Sequence, residues 1–150
     1  MAGAAASMTD HNIQNLLDKQ ALLELAQAYA SAVDRRDYVR FATTFTEDGR
    51  LSGPGFNYND RAEIESNIAA IEQFSATQHH VTNQLVMITG DAATGETYCM
   101  AGHIYEKDGQ QRKMDMAIRY QDEFIRTGTG WKIKSRVLEV DWVQDLPLQG

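Results

Sequence analysis

The sequence predicts an α+β fold: a strongly curved, mostly antiparallel sheet packed on three N-terminal helices and closed into a cone-shaped α+β barrel. Three observations carry this. Apolar residues recur at helical spacing only in the first half of the chain, as far as Phe74. Everything after Ala76 reads as extended and is rich in Val, Ile and Thr. The later extended runs are joined by short turn signals, Gly90-Asp91, Asp108-Gly109 and Thr127-Gly128-Thr129-Gly130. Such turns join antiparallel neighbours, whereas parallel strands need crossovers of a dozen residues or more. A sheet of this kind must lay one face on the helices, and its curvature leaves an apolar cavity for a small ligand.

The elements follow in the order α-α-β-α-β-β-β-β. From Asn12 to about Arg36, Ile13, Leu16, Leu17, Leu22, Leu25, Ala26, Tyr29 and Val33 trace one amphipathic helix, with Asp10 or Asn12 as N-cap. Asp37 caps a short second helix carrying Tyr38, Phe41 and Phe45, which Thr46-Glu47-Asp48-Gly49 ends. A brief extended segment at Arg50 to Ser52 is broken by Gly53-Pro54-Gly55. Asn59 or Asp60 starts a third helix with Ile64, Ile68, Ile71 and Phe74 on one side. Four strands complete the chain, at His79–Thr89, Glu96–Glu106, Arg112–Arg126 and Trp131–Trp142. Residues 1–11 read as a flexible tail whose opening MAGAAASM is short and lacks the Lys or Arg and the extended apolar stretch of a secretory signal, and 12–150 as a single domain.

Composition narrows the function classes. The 150 residues carry a net charge of −7, with no stretch that concentrates Lys or Arg, so nucleic acid is not an expected partner. No window approaches the roughly 18 apolar residues of a membrane span. The single Cys99 leaves no partner for an intramolecular disulfide and no multi-cysteine metal site; a reducing, cytoplasmic setting fits that count.

Two positions invite chemistry. Asp34 falls in the last turn of the first helix, where free carbonyls and the macrodipole disfavour a carboxylate by roughly 0.3–1 kcal/mol unless a cation offsets it. Arg35 or Arg36 could supply that cation at the surface; an inward imidazole could supply it from the core. His79 and His80 open the first long strand, and alternation sends one of them inward. A neutral imidazole held by a carboxylate is a general base near neutral pH, whereas adjacent strand residues facing apart suit a metal poorly. His103 on the next strand is either a second acid or base opposite His79 or an outer-face residue. On the following strand Met114, Met116 and Ile118 alternate with Asp115, Ala117 and Arg119, so one face is a methionine-lined wall.

The helix end Val33-Asp34-Arg35-Arg36-Asp37, the turn Phe45-Thr46-Glu47-Asp48-Gly49 and the strand start Thr77-Gln78-His79 resemble the SnoaL-like family. So do Arg119-Tyr120-Gln121-Asp122-Glu123-Phe124 and Gly130-Trp131-Lys132-Ile133. The family belongs to the nuclear-transport-factor-two-like superfamily, and the resemblance runs from about Asn12 to Trp142. Its functional likeness is to scytalone dehydratase and hexachlorocyclohexane dehydrochlorinase, which pair an Asp at the first helix end with a His after the third helix. The resemblance implies Asp34 and His79 as a proton-transfer dyad, with His103 as a second acid or oxygen-holder. It further implies Tyr29, Tyr38, Phe56, Met116 and Trp142 as substrate-lining residues. The expected function is a cofactor-independent lyase or isomerase acting on a small apolar cyclic substrate, with no metal, as a homodimer or homotrimer. A non-catalytic ligand-binding module, or a polyketide cyclase or hydrolase using the same pocket, remains open.

Overall fold

The computed structural model describes residues 2–149, with side chains from residue 7 onward. Helix α1, Ala2–Asp34, is followed by α2, Tyr38–Ala42, and a hairpin of β1, Phe45–Gly53, with β2, Phe56–Tyr58. Helix α3, Arg61–Asn67, continues as a 3-10 segment, Ile68–Gln73. Strands β3, Ala76–Thr89, β4, Ala92–Lys107, β5, Gln110–Thr127, and β6, Gly130–Pro147, complete one six-stranded sheet in the order β2-β1-β6-β5-β4-β3. All pairs are antiparallel except β1 with β6. The expected α+β architecture is therefore present, with one more strand than the sequence suggested. Among the described residues no helix is long and apolar enough to cross a membrane.

Local chemistry explains the boundaries. Asp37 caps α2 by accepting from the Arg40 N–H, and Asp60 caps α3 by accepting from the Glu63 N–H. The β4–β5 hairpin turns on Asp108 and Gly109, both at positive φ (54° and 75°), as its tight turn requires. Other details differ from the sequence expectation. Helix α1 starts at Ala2, so Asp10 and Asn12 lie inside it instead of capping it, and it runs through the segment read as a tail. Its apolar stripe is buried only from Leu22 onward, while Ile13, Leu16 and Leu17 are at least half exposed. Phe45 opens β1 instead of ending α2, because its buried ring packs beside Phe41 and Tyr29 while its backbone pairs with Ile133.

The core lies between α1 and the inner sheet face. Trp131, Tyr29, Tyr120, Phe41, Phe45 and Phe124 are its largest apolar members. A fully buried ion pair runs through it: Arg136 donates to both oxygens of Asp122 at 2.7 and 2.8 Å. The Arg136 guanidinium carbon sits 4.3 Å from the Tyr29 ring centre and 4.1 Å from that of Tyr120, so two aromatic faces replace its hydration. Bulges in the β3–β4 and β5–β6 ladders bend the sheet around this core.

Candidate active site

The end of α1 is built to hold Asp34. Arg36 N–H donates to Val33 O and Asp37 N–H to Ala32 O, the paired closure of a Schellman motif, with Arg36 at φ 59° where glycine is usual. A non-glycine residue there costs about 1 kcal/mol, and the Arg36 guanidinium offsets this by bridging α1 to β3. It donates to Val33 O at 3.1 Å, Phe74 O at 2.9 Å and Thr77 Oγ1 at 2.7 Å. With its oxygen occupied by that donor, the Thr77 hydroxyl turns its own proton to Asp34 Oδ1, 2.9 Å away.

Thr77 and His79 are two residues apart on β3 and share its inner face, while His80 is exposed on the other. His79 meets Asp34 twice: its backbone N–H donates to Oδ2 at 2.9 Å, and its Nδ1 lies 2.7 Å from Oδ1. An ionised carboxylate only accepts, so Nδ1 carries a proton toward Asp34, and in the neutral form of the ring Nε2 holds the lone pair. Burial pushes the Asp34 carboxyl up, but the His79 ring, its N–H and charge, and the Thr77 hydroxyl outweigh this and hold it below the ordinary 3.8. The helix-end carboxylate is thus answered by an imidazole from β3, not by Arg35 or Arg36 directly.

His79 borders a cavity of about 360 Å³ inside the cone. His103 faces the same space, its ring centre 5.8 Å from that of His79 at an interplanar angle of 78°. His103 Nδ1 is 3.2 Å from Met114 O, and Phe74 packs on its ring at 4.7 Å. Burial lowers the His103 pKa, the Met114 carbonyl opposes this, and His79 lowers it further. Met114, Met116, Ile118 and Leu138 form an apolar wall, Phe56 and Tyr58 another, and Tyr29 and Tyr120 lie at the end beside Arg136. Burial pushes the Tyr29 hydroxyl up to about 12 and that of Tyr120 well above its ordinary value, so both stay protonated. Burial also pushes the Cys99 thiol up to about 11, which makes it a packing residue and not a nucleophile.

The structure therefore brings Asp34, His79, His103, Tyr29, Phe56 and Met116 to one site. It does not bring Tyr38 or Trp142. Tyr38 opens α2 and turns its hydroxyl to Glu72 at 2.7 Å on the exterior. Trp142 is displaced by a bulge: Ile118 pairs with Val140 but Ala117 pairs with Trp142, leaving Asp141 unpaired. Counting in twos from Val140 would point Trp142 inward; the extra residue puts it outside, 63% exposed. Tyr58, Phe74, Thr77 and Arg36 were missed. Alternation from Phe56 and from His79 could have found Tyr58 and Thr77, but nothing local marks the other two. Among the described residues, no three His, Cys, Asp or Glu side chains gather as metal ligands would.

Comparison with known proteins gives the family of the fold. The model of the SnoaL-like domain matches residues 14–137. The chain belongs to the SnoaL-like family. It is 26% identical over 134 residues to the uncharacterised protein Rv2910c of Mycobacterium tuberculosis, spanning 84% of this chain and 87% of that one. Its fold is similar to that of a candidate scytalone dehydratase from Novosphingobium aromaticivorans, with a TM-score of 0.81, 22% identity, and 92% and 93% of the two chains covered. It is similar also to a hexachlorocyclohexane dehydrochlorinase of type 2, with a TM-score of 0.78, 19% identity, and 93% and 94% covered.

Proposed function

We propose that this SnoaL-like chain is a cofactor-independent lyase or isomerase that moves protons on a small, mostly apolar cyclic substrate. The observation that carries the reading is the 2.7 Å contact of His79 Nδ1 with Asp34, which leaves Nε2 basic beside an apolar cavity. In this reading Nε2 takes a proton from a substrate carbon. The C–H electron pair becomes a new double bond, and the imidazolium formed is stabilised by the Asp34 carboxylate, which stays ionised. In an elimination the leaving group departs with its bonding pair and receives the proton from His79; in an isomerisation a second carbon receives it. The dehydratase and dehydrochlorinase likenesses favour the first outcome.

Solvent-deuterium exchange at the α-carbon of a bound cyclic ketone such as 2-tetralone tests the proposal. The parent should catalyse exchange, and His79→Ala should lower the rate by about 10²–10⁴-fold while folding normally. An unchanged rate in His79→Ala would refute the dyad.

We further propose a cytoplasmic homodimer or homotrimer assembled through the outer sheet face, where Tyr98, Met100 and Trp142 are exposed. Light scattering on Trp142→Glu should report a smaller species than the parent; equal masses would refute that surface.

A further inference from the structure

Arg36 holds a backbone position that glycine would fill with less strain. It closes α1 at φ 59°, in the left-handed region where a β-carbon crowds the following carbonyl. The closing bonds, Arg36 N–H to Val33 O and Asp37 N–H to Ala32 O, are backbone bonds that need no side chain. Strain of this kind persists only where the surrounding contacts offset it, so the reason for an arginine here lies in its guanidinium. That group joins three places: Val33 O on α1, Phe74 O at the end of the 3-10 segment, and Thr77 Oγ1 on β3. A guanidinium only donates, and the Thr77 hydroxyl is 6% exposed, so its single proton goes to Asp34 Oδ1. Without the guanidinium, nothing fixes which way that proton points. The 3-10 segment Ile68–Gln73 has no buried residue and no side-chain cap at Asn67, yet Ile68, Ile71 and the adjoining Phe74 line the cavity. Its position is set by few ties, among them Arg36 to Phe74 O and the Tyr38 hydroxyl to Glu72.

We infer that Arg36 is a positioning residue for the dyad: through the Thr77 hydroxyl it fixes a donor on Asp34 Oδ1, and through the Phe74 carbonyl it fixes the facing cavity wall. Asp34 has to present Oδ1 to His79 Nδ1 and Oδ2 to the His79 N–H at the same time. Its side chain is 21% exposed, so water competes for the same lone pairs, and a donor held in place by Arg36 keeps the carboxylate in that one orientation. The Phe74 ring packs 4.7 Å from that of His103, across the cavity that His79 borders. One guanidinium therefore sets both the orientation of the base and the distance of the wall, the two quantities on which a reactive geometry depends. Lysine cannot replace it, because an ammonium lacks the planar fork that reaches several acceptors at once. The inference rests on the reading of Asp34 and His79 as a proton-transfer dyad, but its first readout does not require turnover.

Arg36→Gly is the decisive variant, because it relaxes the left-handed backbone and removes only the side chain. The first measurement is the pH titration of the Asp34 carboxyl carbon by 13C NMR in the parent, Arg36→Gly, Thr77→Val and the double variant. Each single variant should titrate at higher pH than the parent, and the double variant should titrate with Thr77→Val, since Arg36 acts through that hydroxyl. The other ionisable groups around Asp34 are left unchanged: His79, His103 and Cys99 within the cone, and Arg35 and His80 beside the groove outside it. An Asp34 titration unmoved in Arg36→Gly would overturn the inference. So would a further rise of equal size in the double variant, which would mean that the arginine charge acts on Asp34 directly. The second measurement is deuterium exchange into 2-tetralone. Arg36→Gly should lower kcat about tenfold, the size of one oriented neutral hydrogen bond, and raise KM as the Phe74 wall loosens, while Thr77→Val should lower kcat alone. Parental kcat and KM in Arg36→Gly would reduce Arg36 to a helix cap. If the parent itself exchanges no deuterium, the proton-transfer reading fails, and the titration still decides whether Arg36 orders Asp34.

Discussion

Replacing Asp34 by Asn is the most informative single perturbation, because every hydrogen bond at this carboxylate is one it accepts. Oδ1 takes protons from His79 Nδ1 and the Thr77 hydroxyl, and Oδ2 takes one from the His79 backbone. An amide has one oxygen and one NH₂. If its oxygen keeps the backbone bond, its NH₂ confronts Nδ1 and drives the imidazole to the Nε2–H tautomer, which cannot act as a base toward the cavity. Turned the other way, the NH₂ confronts the backbone N–H of His79. Either orientation leaves a half-buried donor opposed, a cost of about 1–3 kcal/mol in stability. The loss in exchange rate should be about 10²–10⁴-fold, as expected when a general base is lost.

The acid limb of stability should change as well. The native Asp34 pKa is below its unfolded value near 3.8, so the carboxylate contributes stability that is present above about pH 4 and lost as pH falls through the native value. The Asn variant lacks that contribution and should lose less stability between about pH 5 and pH 2. Deuterium exchange by NMR and urea denaturation across pH read the two effects separately. A folded Asp34→Asn protein that exchanges at the parental rate would refute the tautomer argument.

Three further outcomes follow from the same coordinates. Thr77→Val removes one donor to Asp34 and should raise the carboxyl pKa, moving the acid limb of the urea-denaturation stability profile upward, while Thr77→Ser should restore the parental profile; coincident profiles for Val and parent would contradict the relay from Arg36. Asp122→Asn leaves the wholly buried Arg136 guanidinium without its counter-charge and should cost about 3–5 kcal/mol in urea denaturation, whereas replacing both partners by apolar residues should cost less. Asp18, lowered to about 2 chiefly by its hydrogen bonds with Arg126, contributes stability above about pH 4 that is lost on acidification; Asp18→Asn should therefore narrow the stability difference between pH 5 and pH 2, measured by thermal unfolding.

The candidate site was partly legible before the fold was known, and the division has a physical basis. Alternation is a local rule, so one inward-facing histidine of the pair His79-His80 and the methionine wall of Met114 and Met116 follow from spacing once the strands are recognised. Asp34 stood out because a carboxylate at a helix C-terminus is locally unfavourable and asks for a partner. Rules of this kind fail where a strand is not regular. One bulged residue, Asp141, reverses the facing of Trp142, and nothing in the flanking sequence announces it. Tyr38 is similar in kind: standing four residues after Asp34 says nothing of which side of α2 meets the cavity.

By itself the sequence determined the fold class, the succession of the helices and of five of the six strands, the cap at Asp37 and the turn at Asp108-Gly109, because helical period, strand alternation and turn chemistry act over a few residues. Tertiary structure alone decided who partners whom. That Arg36 bridges to Phe74 and Thr77 instead of neutralising Asp34, that Asp122 and Arg136 bury each other between two tyrosines, and that His103 Nδ1 meets the Met114 carbonyl all depend on contacts between distant elements. Hydrogen-bond direction is set by such contacts at separations near 3 Å.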